Sequence, residues 1–355
     1  MKILISRNKI KRHLRIFIAW SYYYSGLHKI LCKDKVLILM YHRILRDDDE
    51  AKLSIQPGMY VTESAFKKQI KYLKKHYKII SLKKLIDLWN NGADYENKRY
   101  CVITFDDGWR DNYLNAYPVL KKYNVPATIF LATSYIGTSN WFWPEKISYL
   151  LLNKYSETIS ALEHISHFKN GLQDISETIS KIIRNRNNKG TNEQIDSIIE
   201  RIKQYPLQVI EDIIDQISQK IGITIPAERL LLDWTEIKEM SNNGISFGSH
   251  TCNHKILTTV TRNEAKKELE ESLRLLKEKE LEFVPVFCYP NGNYNRELQK
   301  IVSECGYVAA VTTKTGFEYT SPSDIYGIKR IGVHNDISLT IPLFSFHLSC
   351  LRFET

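Results

Sequence analysis

Two adjacent carboxylates, Asp106 and Asp107, are the residues whose type and spacing first indicate chemistry in this sequence. They follow the apolar run 100–105 and precede Gly108. Neighbouring carboxylates repel each other unless a cation lies between them or one keeps its proton, so an aspartate pair at a strand end indicates a metal site. A solvated turn is the alternative interpretation, because Asp-Gly after a strand is an ordinary turn signal.

A second polar stretch favours the metal. The strand-like run 245–249 leads directly into His250, and His254 follows four positions later. One helical turn or a tight loop points both imidazoles the same way, and with Asp107 they would supply the three protein ligands typical of a catalytic zinc-type site. Cys252 lies between the two histidines, but we expect a small buried residue there because the carboxylate already completes the ligand set.

These motifs resemble those of the polysaccharide deacetylases, the NodB-homology group of carbohydrate esterases. The first family motif is Thr-Phe-Asp-Asp-Gly, the second is His-Ser/Thr-x-x-His, and the third, Tyr-Pro-x-Gly, matches residues 289–292. The resemblance implies one divalent metal ion, with Zn2+ as the default and Co2+ or Ni2+ as ions that fit the same ligands. It assigns the catalytic base to Asp106, the metal ligands to Asp107, His250 and His254, and an oxyanion-binding backbone N–H to Tyr289.

The reaction that the resemblance implies also needs a general acid, because an amine departs poorly without a proton. In the commonest family layout a histidine near the C-terminal end supplies it, and His334 lies in that region. The subgroup that resembles the poly-N-acetylglucosamine deacetylases places it early instead, in a Met-Tyr-His motif that ends here at His42, and we favour His42. Many family members also carry an arginine near the third motif that holds the base. Residues 284–287 contain none, and Arg330 is the candidate to replace it.

Seven apolar runs alternate with helical patterns along the rest of the chain. This alternation predicts an α/β fold with a parallel barrel, and the resemblance narrows it to a distorted seven-stranded (β/α) barrel built from residues 36–136 and 233–355. Chemistry in such barrels collects at the C-terminal ends of the strands, where the motif residues fall. The predicted strands are 36–41, 101–105, 127–131, 245–249, 285–289, 308–312 and 328–331.

The stretch 137–232 breaks the alternation and predicts a helical insertion. An insertion after a barrel strand lies on the active-site face, so we expect a cap over the substrate groove. The stretch opens with Trp141 and Trp143, which could stack on sugar rings. The alternative is that these aromatics only fasten the insertion to the barrel.

Residues 1–35 combine a basic stretch with an aromatic and apolar run at 16–27. The run is too short for a transmembrane helix, but basic residues beside aromatics suit a helix that lies in the membrane interface. A helix packed on the barrel is the other interpretation. The first interpretation predicts peripheral contact of residues 1–35 with the membrane.

Composition bounds the partners and the compartment. The formal charge of +10 suits an anionic polymer, nucleic acid or a membrane surface, but no nucleic-acid motif accompanies it and we expect no nucleic-acid partner. The six cysteines are scattered without a C-x-x-C pair, as thiols are in a reduced cytosol. We predict a cytoplasmic protein, associated with the inner face of the membrane if residues 1–35 bind lipid.

The function that follows is a metal-dependent deacetylase that hydrolyses N-acetyl groups of an acetylated amino-sugar glycan or its lipid-linked precursor. A non-catalytic glycan-binding barrel and an O-acetyl esterase on a glycan are the alternatives. A glycoside hydrolase would need two carboxyls about 5 to 9.5 Å apart on either side of a bond, which adjacent aspartates that share a metal do not provide.

Overall fold

The protein is a closed barrel of seven parallel strands surrounded by helices. The computed structural model describes residues 7–29, 35–49, 55–56, 58–92, 99–165, 192–203 and 205–351. The barrel strands are β1 Val36–Tyr41, β2 Tyr100–Phe105, β3 Ala127–Leu131, β4 Ile245–Ser249, β5 Phe283–Cys288, β6 Ala309–Thr315 and β7 Ile328–Gly332.

The strands pair in sequence order, and β1 closes the barrel by pairing with both β2 and β7. The register shifts between β4 and β5 and again between β6 and β7, so the barrel is irregular. The predicted distorted seven-stranded (β/α) barrel is therefore confirmed. A short strand, Lys78–Ile79, pairs with the start of β2, while Arg43–Leu45 and Tyr60–Thr62 form a separate pair.

Helices connect the strands and cover the barrel. The hydroxyl of Ser81 caps the helix that begins at Leu82 by accepting a hydrogen bond of 3.2 Å from the backbone N–H of Lys84. A π-helical turn, Asn112–Ala116, precedes the helix that begins at Tyr117. The helices are α1 Arg7–Tyr24, α2 Glu63–His76, α3 Leu82–Asn90, α4 Tyr117–Tyr123, α5 Trp143–Asn153, α6 Tyr155–Ile165, α7 Asn192–Ile202, α8 Leu207–Ile221, α9 Trp234–Ser241, α10 Arg262–Glu278, α11 Arg296–Glu304, α12 Asn335–Ser338 and α13 Ile341–Leu348.

The insertion between β3 and β4 contains α5 to α8 and has its own apolar core. Isoleucines of α7 and α8 and leucines of α5 form this core. The two ends of the insertion meet where the backbone N–H of Gly137 donates to the carbonyl of Leu232, at 2.8 Å. The insertion therefore leaves and rejoins the barrel at one place, next to the end of β3.

Helix α1 packs one face on the barrel's C-terminal helix and leaves another open. Ala19 and Tyr22 are buried, and the Tyr22 ring lies edge-on to Phe346 with centroids 5.5 Å apart. The side chains of Phe17 and Tyr24 are 69% and 70% exposed. Among the residues that the structure describes, no helix combines the length and apolarity that a bilayer crossing requires.

Candidate active site

The C-terminal ends of the strands bring the predicted site residues together. His42 follows β1, the aspartate pair follows β2, and His250 follows β4. Arg330 lies within β7, and its whole side chain is buried. This is the end of a (β/α) barrel where the loops build binding and catalytic sites.

A tight turn lets both aspartates face one site. The backbone N–H of Asp106 still pairs with the carbonyl of Tyr41 at 2.9 Å, as a strand residue would. Asp107 then has a φ of 76° and Gly108 a φ of 82°, so the backbone leaves the extended conformation and turns at these two residues. A left-handed aspartate costs free energy and is characteristic of functional sites. Because of this turn, side chains that would point to opposite sides of a straight strand both reach the site.

Asp106 forms a buried ion pair with Arg330. Both carboxylate oxygens accept from the guanidinium at 2.7 Å, and the guanidinium also donates to the Thr104 hydroxyl at 3.0 Å. Burial raises the pKa of Asp106, but the Arg330 charge and hydrogen bonds outweigh burial and hold that pKa below its usual range. Arg330 thus lies where the family arginine absent from the third motif would act, and it keeps Asp106 ionised.

Asp107 is the meeting point of two imidazoles. Its Oδ1 lies 3.3 Å from Nε2 of His250 and 3.2 Å from Nε2 of His254. Nδ1 of His250 must carry its proton, because it bonds to the carbonyl of Cys288 at 2.8 Å and a carbonyl only accepts. When the His250 ring gives up its second proton, as a metal ligand must, its Nε2 offers a lone pair to the same point as the Asp107 carboxylate. Such a convergence fits a divalent cation, and the donor set of one carboxylate and two imidazoles is that of catalytic zinc sites.

A second possible ligand group, Asp106, His250 and Cys288, fits a cation less well. Sγ of Cys288 already accepts from Arg330 at 3.2 Å, and burial raises the pKa of this thiol, whereas a metal needs the thiolate. The guanidinium beside it would also repel a cation. Asp107, His250 and His254 are therefore the better metal ligands.

The two candidate acids have different surroundings. Burial raises the pKa of Asp106 and of Asp107, and the charge of His42 is among the influences that lower both values again. The backbone of His42 is held by Asn112, whose side-chain N–H donates to the His42 carbonyl at 2.8 Å. His334 instead pairs with Asp336 at 3.0 Å. Tyr41 pairs with Phe105, so His42 and Asp106 follow the ends of neighbouring strands.

The three residues predicted to contact the substrate, Tyr289, Trp141 and Trp143, make contacts within the protein instead. The N–H of Tyr289 donates to the carbonyl of Val311 at 3.2 Å, so its role as an oxyanion donor stays a prediction. Trp141 and Trp143 are only 9% and 8% exposed, and the Trp141 indole N–H donates to the carbonyl of Glu228 at 2.8 Å. The structure favours the packing interpretation for both tryptophans, because a sugar platform needs an open ring face.

Sequence reasoning missed several side chains around the ligands. The indole N–H of Trp109 donates to Oδ2 of Asp107 at 2.8 Å, and the ring of Phe142 lies 4.6 Å from that of His254. Glu145 lies in the first turn of α5. Burial raises the pKa of Glu145 to about 7, and the negative charge of Asp107 acts in the same direction. Of these contacts, only that of Trp109 could have been predicted from the sequence, because Trp109 lies two residues after Asp107.

The insertion also spans the barrel mouth. Asp196 on α7 accepts from the side-chain amide of Gln56 at 3.0 Å, and Lys203, just after α7, donates to the side chain of Asn291 at 3.1 Å. Gln56 belongs to the loops that follow β1, and Asn291 belongs to the third motif after β5. Helix α7 therefore lies between two sides of the active-site face.

Fold and site together define a (β/α) barrel with a carboxylate and two histidines arranged as metal ligands beside an ionised aspartate. The polysaccharide deacetylase family matches residues 93–310, more than half of the 355-residue chain. The chain therefore belongs to the polysaccharide deacetylase family, and the resemblance seen in the motifs is confirmed.

Individual relatives agree with the family. The poly-β-1,6-N-acetyl-D-glucosamine N-deacetylase of Staphylococcus epidermidis is 38% identical over 134 residues, which cover 36% of this chain and 46% of that protein. The Bacillus subtilis protein YxkH is 25% identical over 306 residues, 86% of this chain and 73% of that protein. The solved structure of the Streptococcus pyogenes deacetylase PplD with acetate superposes with a TM-score of 0.54 at 20% identity, over 86% of this chain and 95% of that one. At this identity the last match supports the fold alone.

Proposed function

We propose that this chain is a metal-dependent deacetylase that hydrolyses the N-acetyl groups of an acetylated amino-sugar glycan or of its lipid-linked precursor. The observation that carries the proposal is the convergence of two imidazole Nε2 atoms on Oδ1 of Asp107, at 3.2 and 3.3 Å, beside an Asp106 carboxylate held by Arg330. Family membership supports the reaction class, and the staphylococcal relative supports poly-N-acetylglucosamine as the substrate class.

The roles of the residues follow from their chemistry. When bound at Asp107, His250 and His254, a divalent ion lowers the pKa of a coordinated water toward neutrality and polarises a carbonyl. Asp106 accepts the proton of the attacking water, because Arg330 keeps this carboxylate ionised and pointing at the site. His42 donates a proton to the departing amine, so that the C–N bond breaks to give acetate and a free amino sugar.

Metal content tests the site before any substrate is known. We expect about one divalent ion per chain in the wild type and little in His250→Ala, when both are purified side by side without added metal and measured by elemental analysis. The wild type should then release acetate from β-1,6-linked N-acetylglucosamine oligomers. If neither protein binds metal, even after reconstitution with zinc, the glycan-binding scaffold becomes the better proposal. Acetate release from O-acetylated glycans alone would instead indicate the esterase.

We also propose that α1 attaches the protein to the inner face of a membrane rich in anionic lipid. Phe17, Trp20 and Tyr24 are spaced to share one helix face, and they are 69%, 43% and 70% exposed. The first fifteen residues carry six basic side chains and no acidic one, which complements an anionic surface. The five cysteines that the structure describes are free thiols, which supports a reducing compartment.

Vesicle binding tests this attachment. The wild type should co-sediment with phosphatidylglycerol vesicles and lose most of this binding in the Phe17→Ser/Tyr24→Ser double variant. Tyr319→Ser, which removes a 53% exposed ring far along the chain from α1, is the matched control and should bind as the wild type does. Equal binding by the double variant and the control would reject α1 as the lipid-binding face.

A further inference from the structure

The two histidine ligands are held in different ways. Nδ1 of His250 bonds to the Cys288 carbonyl at 2.8 Å, which fixes the ring and its tautomer. Within the described part of the chain, Nδ1 of His254 has no hydrogen-bond partner, although its Nε2 approaches Asp107. His254 also has a φ of 54°, in the left-handed region that residues other than glycine adopt only rarely. Apart from its contact with Asp107, this ring depends on packing for its orientation.

Phe142 is the side chain that packs on the His254 ring. Its ring centroid lies 4.6 Å from that of His254, with the two planes inclined by 39°. The same ring packs edge-on against Trp109 at 5.4 Å, and Trp109 donates to the Asp107 carboxylate. One buried phenyl ring, 3% exposed, thus contacts one metal ligand directly and a second through a tryptophan.

The insertion fixes this ring from both of its ends. Phe142 is the residue before α5, at the start of the insertion, and it packs in one apolar cluster with Trp109, Ala132 and Leu231. Leu231 belongs to the returning end, where Leu230 accepts from the N–H of Arg110 at 2.8 Å and Leu232 donates to the carbonyl of Gly108 at 2.9 Å. The insertion is therefore bonded to the same turn that presents the aspartates.

We infer that Phe142 is a positioning residue for the metal ligand His254, and that the insertion is in this way part of the metal site rather than only a cover for it. The inference rests on the proposed metal site. It follows from the geometry, since a packed ring face restricts the rotation of an imidazole that lacks the usual hydrogen bond on its second nitrogen. Loss of the ring should let His254 turn away from the position that it shares with Asp107 and His250.

Metal affinity measures this role directly. We expect Phe142→Leu to raise the zinc dissociation constant about tenfold, measured by competition with a chromophoric chelator, because outer contacts of metal ligands typically change affinity by this order. The visible absorption spectrum of the Co2+-substituted protein should shift, since it reports ligand geometry. Phe142→Tyr, which keeps the ring, should show the wild-type zinc affinity and cobalt spectrum.

Trp141→Leu is the matched control, because Trp141 is the neighbouring buried aromatic but packs on Tyr149 at 5.7 Å and contacts no ligand. It should keep the wild-type affinity and cobalt spectrum even if it lowers the melting temperature of the metal-free protein. If Phe142→Leu folds poorly, Phe142→Met fills a similar volume without a ring face and should weaken zinc binding in the same way. Wild-type affinity and spectrum in Phe142→Leu and Phe142→Met would overturn the inference, whereas a wild type that binds no metal would overturn the proposed function itself.

Discussion

Replacement of Asp106 by asparagine is expected to abolish most deacetylation while leaving the metal in place. Asparagine keeps the shape of the side chain but cannot accept the proton of the attacking water, and loss of a general base typically costs about 10²- to 10⁴-fold in rate. Asp106 is engaged by Arg330 and not by the histidine pair, so the ligand set remains complete. The measurements are acetate release at saturating substrate and metal content per chain.

Asp107→Asn is the matched comparison, because it changes the adjacent carboxylate by the same single atom. It should lose the metal as well as the activity, since Asp107 is the point at which His250 and His254 converge. Loss of metal in Asp106→Asn, with metal kept in Asp107→Asn, would contradict this assignment. That outcome would favour the alternative ligand group of Asp106, His250 and Cys288.

The barrel could be predicted because its strands are buried on both faces. All six residues of β2 and all five of β3 are buried, so each is an almost entirely apolar run, with a single threonine, and not an alternating pattern. The ligands could be predicted because they follow such runs directly. His42, Asp106, Asp107 and His250 need only the position of a strand end to be located.

The supporting residues could not be predicted, since they come together only in the folded chain. Phe142 is separated from His254 by the whole insertion, and no local pattern marks their contact. The burial of Trp141 could not be predicted from the sequence either, because a tryptophan at the start of an insertion could stack on a sugar ring or pack against the protein. The sequence offered Arg330 only as a candidate partner of Asp106. Its two hydrogen bonds to Asp106 form because β1 pairs with both β2 and β7, which brings the ends of those strands together.

The fold itself should depend strongly on that arginine. In Arg330→Met the carboxylate of Asp106 stays buried without its cation, and breaking a buried pair in this way typically costs about 3 to 5 kcal/mol of unfolding free energy. Urea denaturation of metal-free protein at pH 7.5 measures the loss. The double variant Arg330→Met/Asp106→Asn removes both charges, so we expect it to be more stable than Arg330→Met alone.

The pH dependence of this loss identifies its cause. In the wild type Arg330 depresses the pKa of Asp106, so the pair stabilises the fold above the unfolded pKa of about 3.9 and is lost only as pH falls through the lower folded value. In Arg330→Met the largest influence that opposes burial is gone, so we expect the pKa of Asp106 to rise. The ionised carboxylate then destabilises the fold at neutral pH, and protonation removes this penalty. The difference in stability between the variant and the wild type should therefore shrink between pH 7.5 and pH 5. A difference that stayed constant over this range would mean that Arg330 stabilises the barrel by packing. It would also mean that Asp106 remains ionised without the positive charge of Arg330.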